Sequence, residues 1–404
     1  MKIERESLLF LAPATYLFVL PLAHTTALRS TALGLSVLLL LWTWRTTATS
    51  PLPLKAPFAV WIALALLSLI WAVYPEYSIG EIRTEIVYGF LTFAIFFSLT
   101  RGRRELTLWI TVLAASSIVT GIFALVQFLR GINPYEVGMH GGALHYSAYL
   151  VTVIPIFLAA FFIWPDRRRV AVIGLVFFLL LTAYGTKNRG FWLSLIVELA
   201  IFGYLYLRSL NLNAAKRNLI LAIIALALVV MTAAFLTVAG ERLGTDSRVS
   251  AVVSDTIKND LRPKLWKDSI EWIKERPWTG AGFGRMVLSK EFQQQGGIVN
   301  HTHAHNIVLN YAIQLGFLGP IVLGLLVFCV IREFVKITRL PDRDIRVLGI
   351  AGLAMVGGVI GVEGMIEDLF VRHLAWIFWA LTGMILGYSS KAARHTSTVQ
   401  ESVH

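Results

Sequence analysis

Long apolar runs separated by short polar stretches set the pattern of this chain. Several of the runs cover about 16–22 residues, the length that crosses roughly 30 Å of hydrocarbon as a helix. Twelve spans can be read: roughly 8–22, 31–44, 57–73, 85–100, 107–128, 146–164, 170–186, 191–208, 219–239, 305–330, 347–364 and 374–389. A soluble protein cannot bury so many such runs, and a membrane β-barrel would show short alternating segments instead. The pattern therefore predicts an all-α, polytopic transmembrane helical bundle. The opening "MKIERESLLFLAPATYLFVLPLAHTTA" imitates a signal peptide. Another span follows almost at once, so it is read as the first transmembrane helix.

Charge fixes the orientation. With the amino terminus inside, twenty of the 36 Lys and Arg residues fall in inner segments, six in short outer loops and ten in one long outer segment, about 240–304. Short loops rich in Lys and Arg stay in the cytoplasm, whereas long loops escape the rule. Both termini are thus expected inside. The net charge of +12 reads as this asymmetry, and no nucleic-acid partner is expected. The single cysteine, Cys329, lies in an apolar run and excludes a disulfide within the chain. The chain divides into spans one to nine (1–239), the long outer loop (240–304), spans ten to twelve (305–389) and a cytoplasmic tail (390–404).

In this orientation seven of the nine histidines are outside: His24, His140, His145, His301, His303, His305 and His373. Three of them crowd into "NHTHAHN", just before an apolar run. In an extended chain His301, His303 and His305 point one way; in a helix His301 and His305 share a face. Zinc ligation, a plain interfacial role and general acid–base work are all open to them. No Cys, Asp or Glu lies nearby in sequence to complete a metal shell. Asn306 is suited either to orient a ligand or to cap the helix beginning there.

Upstream, "RPKLWKDSIEWIKERPWTG" has Pro263 in a first-turn position, Leu265, Trp266, Ile270 and Ile273 at helical spacing, and Pro277 at the stop. It predicts an amphipathic helix lying on the membrane surface, followed by a flexible "GAGFG" turn. Candidate anion-binding residues are Arg189 and Lys187 in "GTKNRGFW", with Arg242, Arg248, Arg262 and Lys264 in the loop. Arg189 precedes Gly190, which permits close backbone approach, and arginine pairs bidentately with phosphate. Lys187 also fits a snorkelling cation at a membrane edge. Arg262 stands at the start of the amphipathic helix, where the helix dipole favours anions. The D-x-D of "PDRDIR", Asp342 and Asp344, falls in a basic inner loop and reads as charge balance.

These residues together resemble the O-antigen ligase family of Gram-negative inner membranes. His305-Asn306, nine residues, then Gly316-Phe317-Leu318-Gly319 is similar to that family's H-N-x9-G-x-x-G pattern. Arg189-Gly190 at a span end and the R-x3-W…P-x-x-G-x-G-x-G stretch, shared with O-antigen polymerases, match as well. The resemblance implies a GT-C-like fold and glycosyl transfer at the periplasmic face. The donor would be a polysaccharide on undecaprenyl pyrophosphate, and the acceptor a sugar hydroxyl of lipid A–core. It implies His305 as general base, with Arg189, Arg262, Lys187, Arg242, His303, Asn306 and Trp266 binding substrate. An inverting reaction needing neither metal nor cofactor is expected, with membrane lipids around the protein.

Two rivals remain. A polymerase would use the same donor, but polymerases often spread basic residues over two large outer loops, and here the next longest is about 129–145. A transporter would show broken helices and charge near the bilayer midplane. Glu363, Glu367 and Asp368 in "GVEGMIEDLF" are the features favouring it, though they could equally position Arg372 or His373.

Overall fold

A computed structural model describes residues 5–42, 51–133, 136–210, 214–243, 262–289, 303–368, 370 and 372–401. Among them every regular element is helical. In chain order the helices are α1 (Arg5–Val19), α2 (Thr26–Trp42), α3 (Lys55–Leu67), α4 (Pro75–Leu99), α5 (Arg103–Leu129), α6 (Ala143–Ile163) and α7 (Asp166–Gly185). Then come α8 (Arg189–Ser209), α9 (Ala214–Leu243), α10 (Arg262–Glu275), α11 (Ile307–Leu315), α12 (Leu318–Thr338), α13 (Arg343–Ile366) and α14 (Arg372–Glu401).

Seven helices among the described residues are long and apolar enough to cross a membrane: α4, α5, α6, α8, α12, α13 and, within α7, Arg167–Gly185. They take the places of expected spans four to eight, ten and eleven. Shorter apolar helices, Leu9–Val19, Thr26–Trp42, Lys55–Ile70 and Val229–Val238, fall where spans one to three and nine are expected. The apolar stretch read as 305–330 is not one helix. It divides at Gly316 into α11 and α12, because Gly316 adopts φ +62° and ends the first helix.

Helices α6 and α13 occupy the middle of the bundle. Most residues of α6 are buried, among them Tyr146, Tyr149 and Phe157, and α13 packs against α6, α8 and α12. Helix α14 lies along α4, where Gly383 and Gly387 allow its backbone to meet Phe93 and Phe97. Both α4 and α13 contain a π-helical turn, Ile82–Val87 and Val359–Glu363. Such turns widen a helix and often mark functional positions. The D-x-D pair has structural work at the other end of α13: Asp342 caps Ile345 N at 2.9 Å, and Asp344 faces Arg103 at 3.5 Å.

The amphipathic helix forms as α10, but its buried stripe is Leu265, Ser269 and Ile273, one face at i, i+4 and i+8. Ile270, expected on that face, is exposed. Its apolar partners include Ala312 and Ile313 of α11.

Candidate active site

The glycine-rich "GAGFG" after α10 is a strap and not a loose turn. Ala281 N and Gly282 N donate to the carbonyls of Ile313 and Gln314 at 2.8 and 3.0 Å, and Gly284 N donates to the Gln314 side chain at 2.8 Å. Phe317 N closes the wrap on Pro277 O at 2.7 Å. The strap thus satisfies the carbonyls at the end of α11 that the helix itself cannot. A Cβ on Gly316 would lie 2.5 Å from Pro277 O, and one on Gly319 would strike Tyr311 O. The two glycines of the G-x-x-G are therefore packing requirements around a fixed α11.

At the other end of α11 sits His305. Asn306 caps the helix, accepting from Val308 N and Leu309 N at 3.0 Å each, while its amide nitrogen donates to Met365 O at 3.1 Å. Trp266 on α10 donates to Ala304 O at 3.1 Å, and Ala304 N donates to the Asn310 side chain at 3.0 Å. His305 itself has φ +49°, a left-handed conformation that costs a non-glycine residue about 1–2 kcal/mol. The fixed turn sustains that strain and directs the imidazole toward an ionic partner. The rings of His303 and His305 stack with centroids 4.1 Å apart.

The partner is Glu367, just past the end of α13. His305 Nδ1 lies 3.3 Å from Glu367 Oε2, and Arg262 bonds the other carboxylate oxygen. The Arg262 Nε also donates to Ile366 O at 2.8 Å. One carboxylate therefore bridges the histidine and the arginine. Burial pushes the Glu367 carboxyl upward, but the His305 hydrogen bond and the Arg262 charge outweigh it and hold it below its ordinary value. Glu367 is thus ionised at neutral pH. An ionised carboxylate only accepts hydrogen bonds, so Nδ1 carries the proton and Nε2 is the basic nitrogen. The next residue, Asp368, also has positive φ, +50°. Its carboxylate accepts from the Asn310 amide, and its carbonyl accepts from Arg285 at 2.7 Å. Burial raises the Asp368 carboxyl above its ordinary value, against the charge of Arg285 and the Asn310 bond.

Arg189 opens α8 directly after Asn188, whose side chain caps Gly190 N at 2.9 Å. A Cβ on Gly190 would touch Ile366 at 3.0 Å and lie 3.5 Å from Glu363 Oε1. The start of α8 thus abuts the same 363–368 segment that holds His305 and Arg262. Lys187 lies two residues earlier with φ +51°. Arg242 stands near the end of α9. His301 and Arg248 lie outside the described residues.

In the sequence Glu363, Glu367 and Asp368 read as features favouring a transporter or as groups positioning Arg372 or His373. They do not position Arg372 or His373. Arg372 pairs with Glu81 at 2.7 Å, and His373 stacks on His145 with centroids 5.9 Å apart. A short chain of carboxylates at the end of an apolar helix was the available signal for Glu367. What it lacked was any sign of the distant Arg262.

Residues 174–324 match the family model described as O-antigen ligase. The match covers less than half of the chain and supports the O-antigen ligase family. The matched stretch contains Arg189, Arg262, Trp266, His303, His305 and Asn306, and ends past Gly319. Glu367 lies beyond it. No curated protein matches the chain. The family is one of glycosyltransferase-like ligases and polymerases, whose substrates are polysaccharide and lipid.

Proposed function

We propose that this protein is an O-antigen ligase. It transfers a polysaccharide from undecaprenyl pyrophosphate to a sugar hydroxyl of lipid A–core, at the periplasmic face of the bacterial inner membrane. The observation that carries this reading is the Glu367 carboxylate bridging His305 and Arg262, with the Arg189 turn packed against the same segment. A proton acceptor and two cations are what a reaction between a hydroxyl and a pyrophosphate ester requires.

His305 Nε2 takes the proton of the acceptor hydroxyl as its oxygen attacks the anomeric carbon. The bond between that carbon and the phosphate oxygen breaks, and the electron pair leaves with the lipid pyrophosphate. Arg262 and Arg189 offset the charge gathering on the leaving group. Attack opposite the leaving group inverts the anomeric centre. Glu367 keeps Nδ1 protonated and stabilises the imidazolium that forms, as a carboxylate does in other histidine dyads. Lys187, Arg242 and His303 add charge and hydrogen-bonding capacity along the substrate path. Asn306 and Trp266 support the reaction by holding the His305 turn.

A polymerase would use the same groups on a different acceptor. Lipopolysaccharide from a strain lacking this gene separates the two. Loss of all polysaccharide from lipid A–core, with long chains left on the lipid carrier, is the expected outcome. Lipid A–core bearing one repeat unit would make the protein a polymerase, and an unchanged gel would overturn both.

A further inference from the structure

A cavity of about 740 Å³ opens beside the strap, lined by Tyr74, Glu76, Tyr77, Met286, Val287 and Ser289. Its size falls in the range of built small-molecule sites, about 300–1,000 Å³. One wall is the start of α4 and the other is the strap beyond Gly284. The walls are tied together, since Met286 N donates to the Tyr77 hydroxyl at 3.2 Å. A Cβ on Gly284 would lie 2.6 Å from the Tyr77 ring, so the strap presses directly on that tyrosine. Glu76 is exposed at the rim, in the first turn of the helix.

The cavity is mechanically joined to the candidate active site. Met286 follows Arg285, whose guanidinium donates to Asp368 O at 2.7 Å, and Asp368 follows Glu367. One wall of the cavity is thus linked, through Arg285 and its bond to Asp368 O, to the residue next to Glu367.

We propose that this cavity is a glycan-binding subsite, holding a pyranose residue near the sugar that reacts. Two tyrosines offer flat apolar faces for the C–H side of a pyranose ring, together with hydroxyls for its edge. A carboxylate at the rim accepts hydrogen bonds from sugar hydroxyls or an ammonium from an amino sugar. The same carboxylate repels phosphorylated groups, so a neutral or amino sugar is the fitting occupant. This rests on the proposed glycan transfer, and the sugar belongs either to the donor polysaccharide or to the acceptor core.

The test uses the purified full chain in lipid nanodiscs. Two probes, O-polysaccharide fragments freed from their carrier and core oligosaccharide freed from lipid A, are examined by saturation-transfer NMR. Wild type should transfer saturation to one probe, and that probe identifies the source. Tyr74→Ala should bind it about three- to tenfold more weakly, the worth of one aromatic contact, and Tyr74→Phe should restore binding. Glu76→Gln, at an exposed position that does not threaten folding, should also weaken it. Binding of neither probe, or binding by Tyr74→Ala and Glu76→Gln equal to wild type, would overturn the subsite. In a parallel assay with intact lipid-linked polysaccharide and lipid A–core, His305→Ala should lose transfer while still binding the probe normally. Probe binding by a wild-type protein that makes no product in that assay would sink the ligase reading and leave the subsite standing.

Discussion

At the residue scale the chemistry turns on one carboxylate with two partners. Glu367→Gln keeps the shape but removes the charge that sets the His305 tautomer and anchors Arg262. The expected result is a fall in kcat on the order of 10²-fold, near the lower bound of what a general base contributes, with acceptor KM little changed. Steady-state transfer assays check it. The same residue gives a pH signature. Its folded carboxyl titrates below the ordinary glutamate value of about 4.3. Its pairing therefore contributes stability above that value, and the contribution is lost as pH falls through the lower folded value. Asp368 is shifted the other way, so the comparison with Glu367→Gln isolates the pair. The melting-temperature gap between wild type and Glu367→Gln should be full at pH 7 and shrink as pH falls below the ordinary glutamate value of about 4.3. A gap independent of pH would mean that Glu367 acts through packing alone.

At the element scale the site depends on α11 being held at both ends. Asn306 caps its start, and the strap wraps its finish. Asn306→Ala should cost about 1 kcal/mol of stability from the cap, plus activity from the loosened His305 turn; thermal melting and transfer assays measure each. Gly319→Ala puts a methyl into the Tyr311 carbonyl, so a protein that melts lower or fails to accumulate is expected, by fluorescence-detected size exclusion. The sequence showed His305, Asn306 and both glycines because they stand within one short segment. It also showed α10 through its periodicity, though not which face was buried, since Ile270 and Ile273 look alike until a partner is present. The strap read as a loose turn because its hydrogen bonds go to carbonyls more than thirty residues away. Glu367 escaped because its partners Arg262 and His305 stand 105 and 62 positions from it.

At the scale of the whole molecule, the apolar pattern gave the helical class and the places of seven long apolar helices. It did not give the break at Gly316, since an apolar run reads the same whether one helix or two cross it. The inferred orientation makes a direct prediction. With Cys329 replaced by serine, a cysteine at Ser289 should react with a membrane-impermeant maleimide from outside, and one at Arg339 only after lysis. The reverse pattern would invert the topology and place His305 in the cytoplasm, away from any periplasmic glycan. The central claim, that His305 takes the acceptor proton in a transfer from a lipid pyrophosphate, is tested most directly by reconstitution. Purified wild-type protein and His305→Ala would each be given lipid-linked polysaccharide and lipid A–core, and the ligated product quantified over time. The account predicts product with wild type and a rate about 10²–10⁴-fold lower with a folded His305→Ala. Transfer by His305→Ala at the wild-type rate would contradict it.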